Sequence, residues 1–205
     1  MRTVNFYLLR HGKVEGAPAL YGHTDVLVDS DKQQAICQAL LELPLAIKKV
    51  VSSPLKRCSD LANLLNQTQP QCQLVVDDAF KEINFGRFDG VPFEDIDQDW
   101  SQLEQFWQNP ALSPLPEAEP LEDFYLRVSQ GWQKLLNNSE HDTLLICHGG
   151  TIRMILAHTL GLDWTNAKLF STLHIGNQSL THIRITVADQ LYPQVCSIGA
   201  PLTTS

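Results

Sequence analysis

The feature that most limits what this chain can fold into is a short apolar run ending in a polar triplet, and it occurs twice. Val4 to Leu9 is aliphatic and aromatic and leads into Arg10-His11-Gly12, while Thr143 to Cys147 leads into His148-Gly149-Gly150. Runs of this length, closed by a turn residue, read as strands buried on both faces. Such strands belong to sheets covered by helices, and open α/β sheets take their ligands just beyond the carboxyl ends of the strands. Two separate strand exits can therefore bring His11 and His148 to one crevice.

The segments between them alternate in the same way. Residues 31–43 form a predicted helix, Lys49 to Ser52 a second strand, and Pro54 opens a helix that keeps Cys58, Leu61, Leu64 and Leu65 on one face. Leu74 to Val76 is a further short strand. Pro110, Pro114, Pro116 and Pro120 mark a loop of restricted backbone, a candidate lid. From Leu121 the spacing of Phe124, Val128, Trp132 and Leu135 gives a core-facing helix, with Glu122 and Asp123 at its positive dipole end. An apolar helix follows His148-Gly149-Gly150 and runs through Leu160, and Leu180 to Val187 with Leu191 to Cys196 alternates as a final hairpin. The class is α/β.

Composition removes several functions. The 205 residues show no shift in composition between halves, so a single domain over 1–205 is expected. A net charge of −8 disfavours nucleic acid, which requires clustered cations. It does not exclude a phosphate ligand, because screening over about 8 Å hides an acidic surface from a basic pocket. The five cysteines are odd in number and contain no Cys-x-x-Cys, which suggests neither a disulfide framework nor a zinc site. Phe6 to Leu9 is too short for a signal segment, and no run approaches the roughly 20 apolar residues of a membrane span. The expected setting is a reducing cytoplasm. The expected partner is a small molecule, with no membrane and no nucleic acid; self-association is left open.

At the strand exits the residue types suit a phosphoryl group. A phosphate monoester carries about −1.5 to −2 charges near neutral pH, so a site for it needs planar cationic donors. Arg10 beside His11, and Arg57 at the start of a helix where a cation is otherwise disfavoured, provide them. Neighbouring positive charge lowers an imidazole pKa and keeps His11 unprotonated, fit to attack phosphorus. A carboxyl group such as Glu82 can protonate the leaving oxygen. His23, His141, His158, His174 and His182 read as ordinary surface or hydrogen-bonded histidines. A competing pattern is Cys147-x5-Arg153, the spacing of a thiolate phosphate loop. Met154 stands where a hydroxyl residue is expected, Ile146 where a histidine is, and Arg10, His11 and Arg57 are left unexplained.

Leu8-Leu9-Arg10-His11-Gly12, Ser52-Ser53-Pro54-Leu55-Lys56-Arg57, Glu82-Ile83-Asn84-Phe85-Gly86 and Cys147-His148-Gly149-Gly150 resemble the ordered motifs of the histidine phosphatase, or phosphoglycerate-mutase-like, superfamily. The resemblance implies a three-layer α/β/α sandwich with a mostly parallel central sheet. It implies that His11 becomes phosphorylated, that Arg10 and Arg57 bind phosphate, that His148 steadies the transferring group and that Glu82 is the proton donor. No metal or other cofactor is implied. Gly149 belongs to the expected phosphate cradle. Lys13 and Val14 depart from the usual pattern, and the phosphate-contacting Asn is absent from Val14 to Ala17; Lys13 or the Gly22 N–H is the expected substitute. Ala118-Glu119-Pro120 departs from the usual Gly-Glu-Ser.

Tyr21-Gly22-His23-Thr24-Asp25 and the start of the helix at Leu121 resemble the alpha-ribazole phosphatase branch. That implies cleavage of alpha-ribazole 5'-phosphate in cobalamin biosynthesis, with Phe88, Phe93, Trp100, Phe106 and Trp107 as candidates for an apolar wall. The alternatives are a sugar or nucleotide phosphatase, a phosphoglycerate mutase, which is disfavoured by the lack of a long insertion, and a non-catalytic binder of a phosphometabolite or phosphoprotein.

Overall fold

The computed structural model describes residues 1–96 and 99–202. Its strands are β1 (Arg2–Arg10), β2 (Lys49–Ser52), β3 (Gln73–Val76), β4 (Thr143–Cys147), β5 (Ser179–Val187) and β6 (Leu191–Pro201). Its helices are α1 (Ser30–Glu42), α2 (Lys56–Thr68), α3 (Trp100–Gln108), α4 (Leu121–Asn137), α5 (Gly149–Leu160) and α6 (Lys168–Ser171). The strands form one sheet in the order β3-β2-β4-β1-β5-β6. β3, β2, β4 and β1 are parallel, and the terminal hairpin adds β5 antiparallel to β1 and β6 antiparallel to β5. β6 runs past its expected end at Cys196.

The period of two in the central strands divides the core. Phe6, Leu8, Val51 and Leu145 face α4 and α5, where Phe124, Val128, Trp132 and Ile155 are buried. Leu9, Val50, Leu144 and Ile146 face α1 and α2, where Ile36, Leu40, Leu61 and Leu65 are buried. The result is the expected α/β/α sandwich, with the strands' carboxyl ends left uncovered by either helical layer.

Two features differ from the sequence reading. The first is α3, whose Leu103 is buried with Phe88, Ile96 and Leu115 in a small satellite core. The second is the proline-rich stretch, which is fastened along part of its length: Arg87 N–H donates to Pro116 O at 3.0 Å, and Glu119 pairs with Arg127 at 2.8 Å.

α4 reaches the turn at Asp78–Phe80 through Gly131, where an added Cβ would lie 2.5 Å from the Ala79 Cβ. Gly131→Ala gains about 1 kcal/mol of helix propensity, but overpacking costs typically 1–3 kcal/mol. The expected net is a loss of roughly 1 kcal/mol, read as a lower urea midpoint at unchanged m-value; a higher midpoint would show that the helix and turn separate freely.

Candidate active site

The site is built by strand register. Arg10 pairs with Cys147 across the parallel β1–β4 ladder, so the next residue of each strand, His11 and His148, leaves the sheet at the same level. Their rings lie 5.2 Å apart at 62°. β2 ends beside them, with Ser52 paired to Ile146, and delivers Ser53 and then Arg57 on the first turn of α2.

Hydrogen bonds fix both tautomers. His11 Nδ1 lies 2.8 Å from Gly12 O, and since a carbonyl only accepts, Nδ1 carries the proton and Nε2 the lone pair. Burial, then the charge of Arg57 and more weakly that of Arg10, lowers the His11 pKa to about 3, although the Gly12 hydrogen bond opposes this. The ring is therefore neutral at pH 7. Arg57 Nε donates to His148 Nδ1 at 3.2 Å, so His148 carries its proton on Nε2 and donates it to Ser53 Oγ at 2.8 Å. His148 is fully buried, and burial followed by the charge of Arg57 and more weakly that of Arg10 holds its pKa well below the usual histidine range.

Arg57 is 0% exposed. Besides His148 it donates to Thr24 O (2.9 Å), Tyr21 O (3.2 Å) and Gly22 O (2.5 Å). The 21–24 loop that supplies these carbonyls is itself held by Asp89, whose carboxylate accepts from the N–H groups of Gly22, His23, Thr24 and, across the turn, Phe85. Burial raises the Asp89 pKa, but the hydrogen bonds from Thr24, His23 and Phe85 outweigh it and hold the carboxyl below its ordinary value. Two expectations change here. The Gly22 N–H donates to Asp89 and is not free for phosphate. Arg57 lies behind His11, off the cavity wall, with one Nη1 N–H of its five donors unassigned, so a fuller grip on phosphate requires these bonds to rearrange.

In front of His11 opens a cavity of about 790 Å³. Arg10 enters it with Nη1 donating to Ile175 O at 2.6 Å, while its buried Nε has no partner. Glu82 faces it too: Gly150 N–H, at the start of α5, donates to Oε2 at 2.9 Å, and Ile83 N–H to Oε1 at 3.2 Å. A side chain at Gly150 would collide with the Glu82 carboxylate. From behind, His23 Nε2 donates to Glu82 O at 3.0 Å, and Arg127, paired with Glu119 through two hydrogen bonds, donates to Ala79 O and Lys81 O. Lys13 also borders the cavity. A second depression, of about 610 Å³ and bordered by Arg2, Lys48 and Lys49, lies at the amino ends of the strands, away from this chemistry.

Of the five aromatics expected as a wall, Phe106 and Trp107 line the cavity and are joined by Phe85 and Phe170. Phe88 is in the satellite core, and Phe93 and Trp100 pack edge to face on Trp107. Cys147 is 0% exposed and burial pushes its thiol pKa up, the opposite of what a thiolate nucleophile needs. Sequence reasoning passed over Asp89, Arg127 and Asn177, whose amide donates to the carbonyls of His11 and Gly12. Arg153 it weighed only as part of the thiolate pattern. A signal existed for Arg127: it stands on the same helical stripe as Phe124 and Val128, where a charge needs a partner. Among the described residues no group of three potential metal ligands forms, and no helix is long and apolar enough to cross a membrane.

At the exits of the parallel strands a neutral histidine thus stands between arginines, and the profile of the Histidine phosphatase superfamily (branch 1) matches residues 6–191. The chain belongs to that superfamily. It is 29% identical over 194 residues to a candidate phosphoserine phosphatase of Hydrogenobacter thermophilus, spanning 87% of this chain and 88% of that one. The fold matches a mycobacterial glucosyl-3-phosphoglycerate phosphatase with a TM-score of 0.80 at 21% identity, over 97% of this chain and 100% of the other. It matches the alpha-ribazole phosphatase of Shigella flexneri with a TM-score of 0.75 at 17% identity, over 97% and 98%. At these identities the two structures attest the fold.

The buried neutral histidines make stability depend on pH. Between the unfolded pKa of about 6.5 and the folded value of about 3, the unfolded chain binds a proton at His11 that the folded chain does not. Stability is thus fully present above pH 6.5 and falls as the pH drops, by up to about 1.4 kcal/mol per unit for each such histidine. Urea midpoints from pH 7 to pH 4.5 should fall less steeply in His11→Gln than in the parent; parallel curves would mean that His11 titrates normally.

Proposed function

We propose that the chain hydrolyses phosphomonoesters through a phosphohistidine at His11. The observation that carries this is the buried Arg10 Nε, a charged donor without an acceptor, beside a neutral His11 whose Nε2 lone pair is free. An unpaired buried donor is costly, and a phosphoryl oxygen satisfies it. The His11 Nε2 lone pair forms the N–P bond as the ester P–O bond breaks, and Glu82 gives its proton to the departing oxygen. Water then attacks phosphorus, Glu82 takes back a proton, and phosphate leaves with the electrons of the N–P bond returned to Nε2. Arg10 and the N–H groups at the start of α5, Gly149 among them, stabilise the equatorial oxygens. Arg57 acts from behind, reinforcing the burial that holds His11 neutral and adding positive potential.

A second, finer reading is an alpha-ribazole phosphatase. The cavity's aromatic side favours it: Phe85, Phe106, Trp107 and Phe170 offer faces to a planar base. A kcat/KM for alpha-ribazole 5'-phosphate at least about tenfold above that for 3-phosphoglycerate supports it, and the reverse order removes it.

Rapid quench with labelled substrate should trap an acid-labile, base-stable phosphoenzyme mapping to His11. His11→Ala should abolish it while Cys147→Ser retains most turnover; the opposite pattern would sink the assignment. Glu82→Gln is expected to slow alkyl phosphates by about 10²-fold or more yet spare activated aryl phosphates, whose leaving oxygen needs little protonation. Equal losses on the two classes would leave Glu82 without the proton-donor role.

A further inference from the structure

The cavity holds one more cation than the reaction above uses. Arg153 stands one turn along α5 from Gly150, on the face that holds Glu82. Its Nε and Nη2 donate to Leu173 O at 3.2 and 2.9 Å, and its guanidinium carbon lies 5.9 Å from the centre of the Phe170 ring. Two hydrogen bonds and an aromatic face thus fix the guanidinium and leave Nη1 as the donor presented to the cavity. A Cβ built on Gly149 would lie 3.0 Å from that Nη1 and 3.4 Å from Arg10 Nε, so the two guanidinium groups converge over one glycine. Among the described residues neither has a carboxylate within 4.0 Å. Like charges brought together and left unneutralised in a cavity indicate more than one negative group in the ligand.

The cations are also ordered. Arg57 lies on the His11 side, Arg10 in the middle, and Arg153 beyond it toward Glu82, the group assigned to the leaving oxygen. Gly150, one turn before Arg153 on α5, donates its N–H to Glu82 Oε2 at 2.9 Å, whereas Arg57 is hydrogen-bonded to His148 at 3.2 Å. Arg153 therefore stands on the leaving-group side of the phosphoryl position.

We propose that Arg153 binds a carboxylate on the leaving group, so that the preferred substrates are phosphorylated hydroxy acids. A carboxylate fits better than a second phosphoryl dianion: one Nη1 group suits a monoanion, while a dianion demands several donors. The inference rests on the phosphatase reading and opposes a neutral base as the leaving group.

The test uses the full chain with 3-phosphoglycerate and glycerol 3-phosphate, which share a skeleton and differ in carboxylate against hydroxymethyl, and with alpha-ribazole 5'-phosphate. The parent should prefer 3-phosphoglycerate over glycerol 3-phosphate by about tenfold or more in kcat/KM. That ratio should fall to within about threefold of unity in Arg153→Met and take an intermediate value in Arg153→Lys. A parent ratio near unity, a ratio unchanged in Arg153→Met, or a preference for alpha-ribazole 5'-phosphate would each overturn the proposal. Should Arg153→Met fail to fold, the parent ratio and the Lys variant decide alone. A His11 phosphoenzyme with a flat ratio sinks this inference only; no phosphoenzyme and no turnover on any of the three sinks the phosphatase reading with it.

Discussion

The geometry around His11 depends on a guanidinium with no exposed surface. Burying an ion costs several kcal/mol unless its hydrogen bonds are replaced, and Arg57 is surrounded by three carbonyls and an imidazole nitrogen that replace most of them. Those acceptors have to be held in place, and Asp89 does so by taking four backbone N–H groups around the loop. The chain of consequence runs from Asp89 through the 21–24 loop and Arg57 to His148, whose tautomer it sets. Burial, reinforced by the same charge, keeps His11 unprotonated. One buried cation thereby arranges two histidines without touching the cavity.

The Glu82 side of the cavity is built on the same plan from different elements. Glu82 lies on an irregular segment that sheet and helix periodicity do not position. It is fastened by α5 in front, through Gly150 N–H, and by α4 and the 21–24 loop behind, through Arg127 and His23. Packing at Gly131 brings α4 close enough for Arg127 to reach the carbonyls of that segment. His11 and Glu82 are thus positioned by separate networks that meet in the 21–24 loop, where His23 serves one and its neighbours the other.

The legibility of these parts in the sequence follows their physics. Strands buried on both faces leave uninterrupted apolar runs, so β1 and β4 and their polar exits could be read directly, and the parallel register then put His11 beside His148. α4 was legible from its apolar stripe. α3 was not, because its nine residues mix Trp100, Phe106 and Trp107 with Ser101, Gln102, Glu104 and Gln105, and it buries only Leu103 fully. Asp89 was hidden by Gly90, since an Asp-Gly pair reads as a turn whatever the carboxylate does. The expected role of the Gly22 N–H failed for a related reason: a backbone donor's partner is set by tertiary structure.

This bears on how substrate can be inferred at all. Tyr21-Gly22-His23-Thr24-Asp25, the segment that resembles the alpha-ribazole branch, is accounted for by scaffolding: three of its carbonyls hold Arg57, His23 holds Glu82, and Asp25 accepts from Lys56 N–H at the start of α2. A segment with those duties is retained whatever the substrate, so its resemblance carries little about the leaving group. Under the proposed reading the groups placed to meet a leaving group are Phe85, Phe106, Trp107, Arg153 and Phe170, which line the cavity from an irregular segment and three helices. Four of the five are aromatic: Phe106 and Trp107 are legible in the sequence as wall candidates, Phe85 lies within the Glu82 motif, and Phe170 gives no signal. The fifth, Arg153, is a cation near the N-terminus of an apolar helix, where the macrodipole disfavours it and neighbouring positive charge compounds the cost. Glu82, the Leu173 carbonyl and the Phe170 face offset part of that cost, and under the proposed phosphatase reading a negative group on the ligand offsets the rest, which makes Arg153 the residue of this cavity that says most about what a substrate carries besides phosphate.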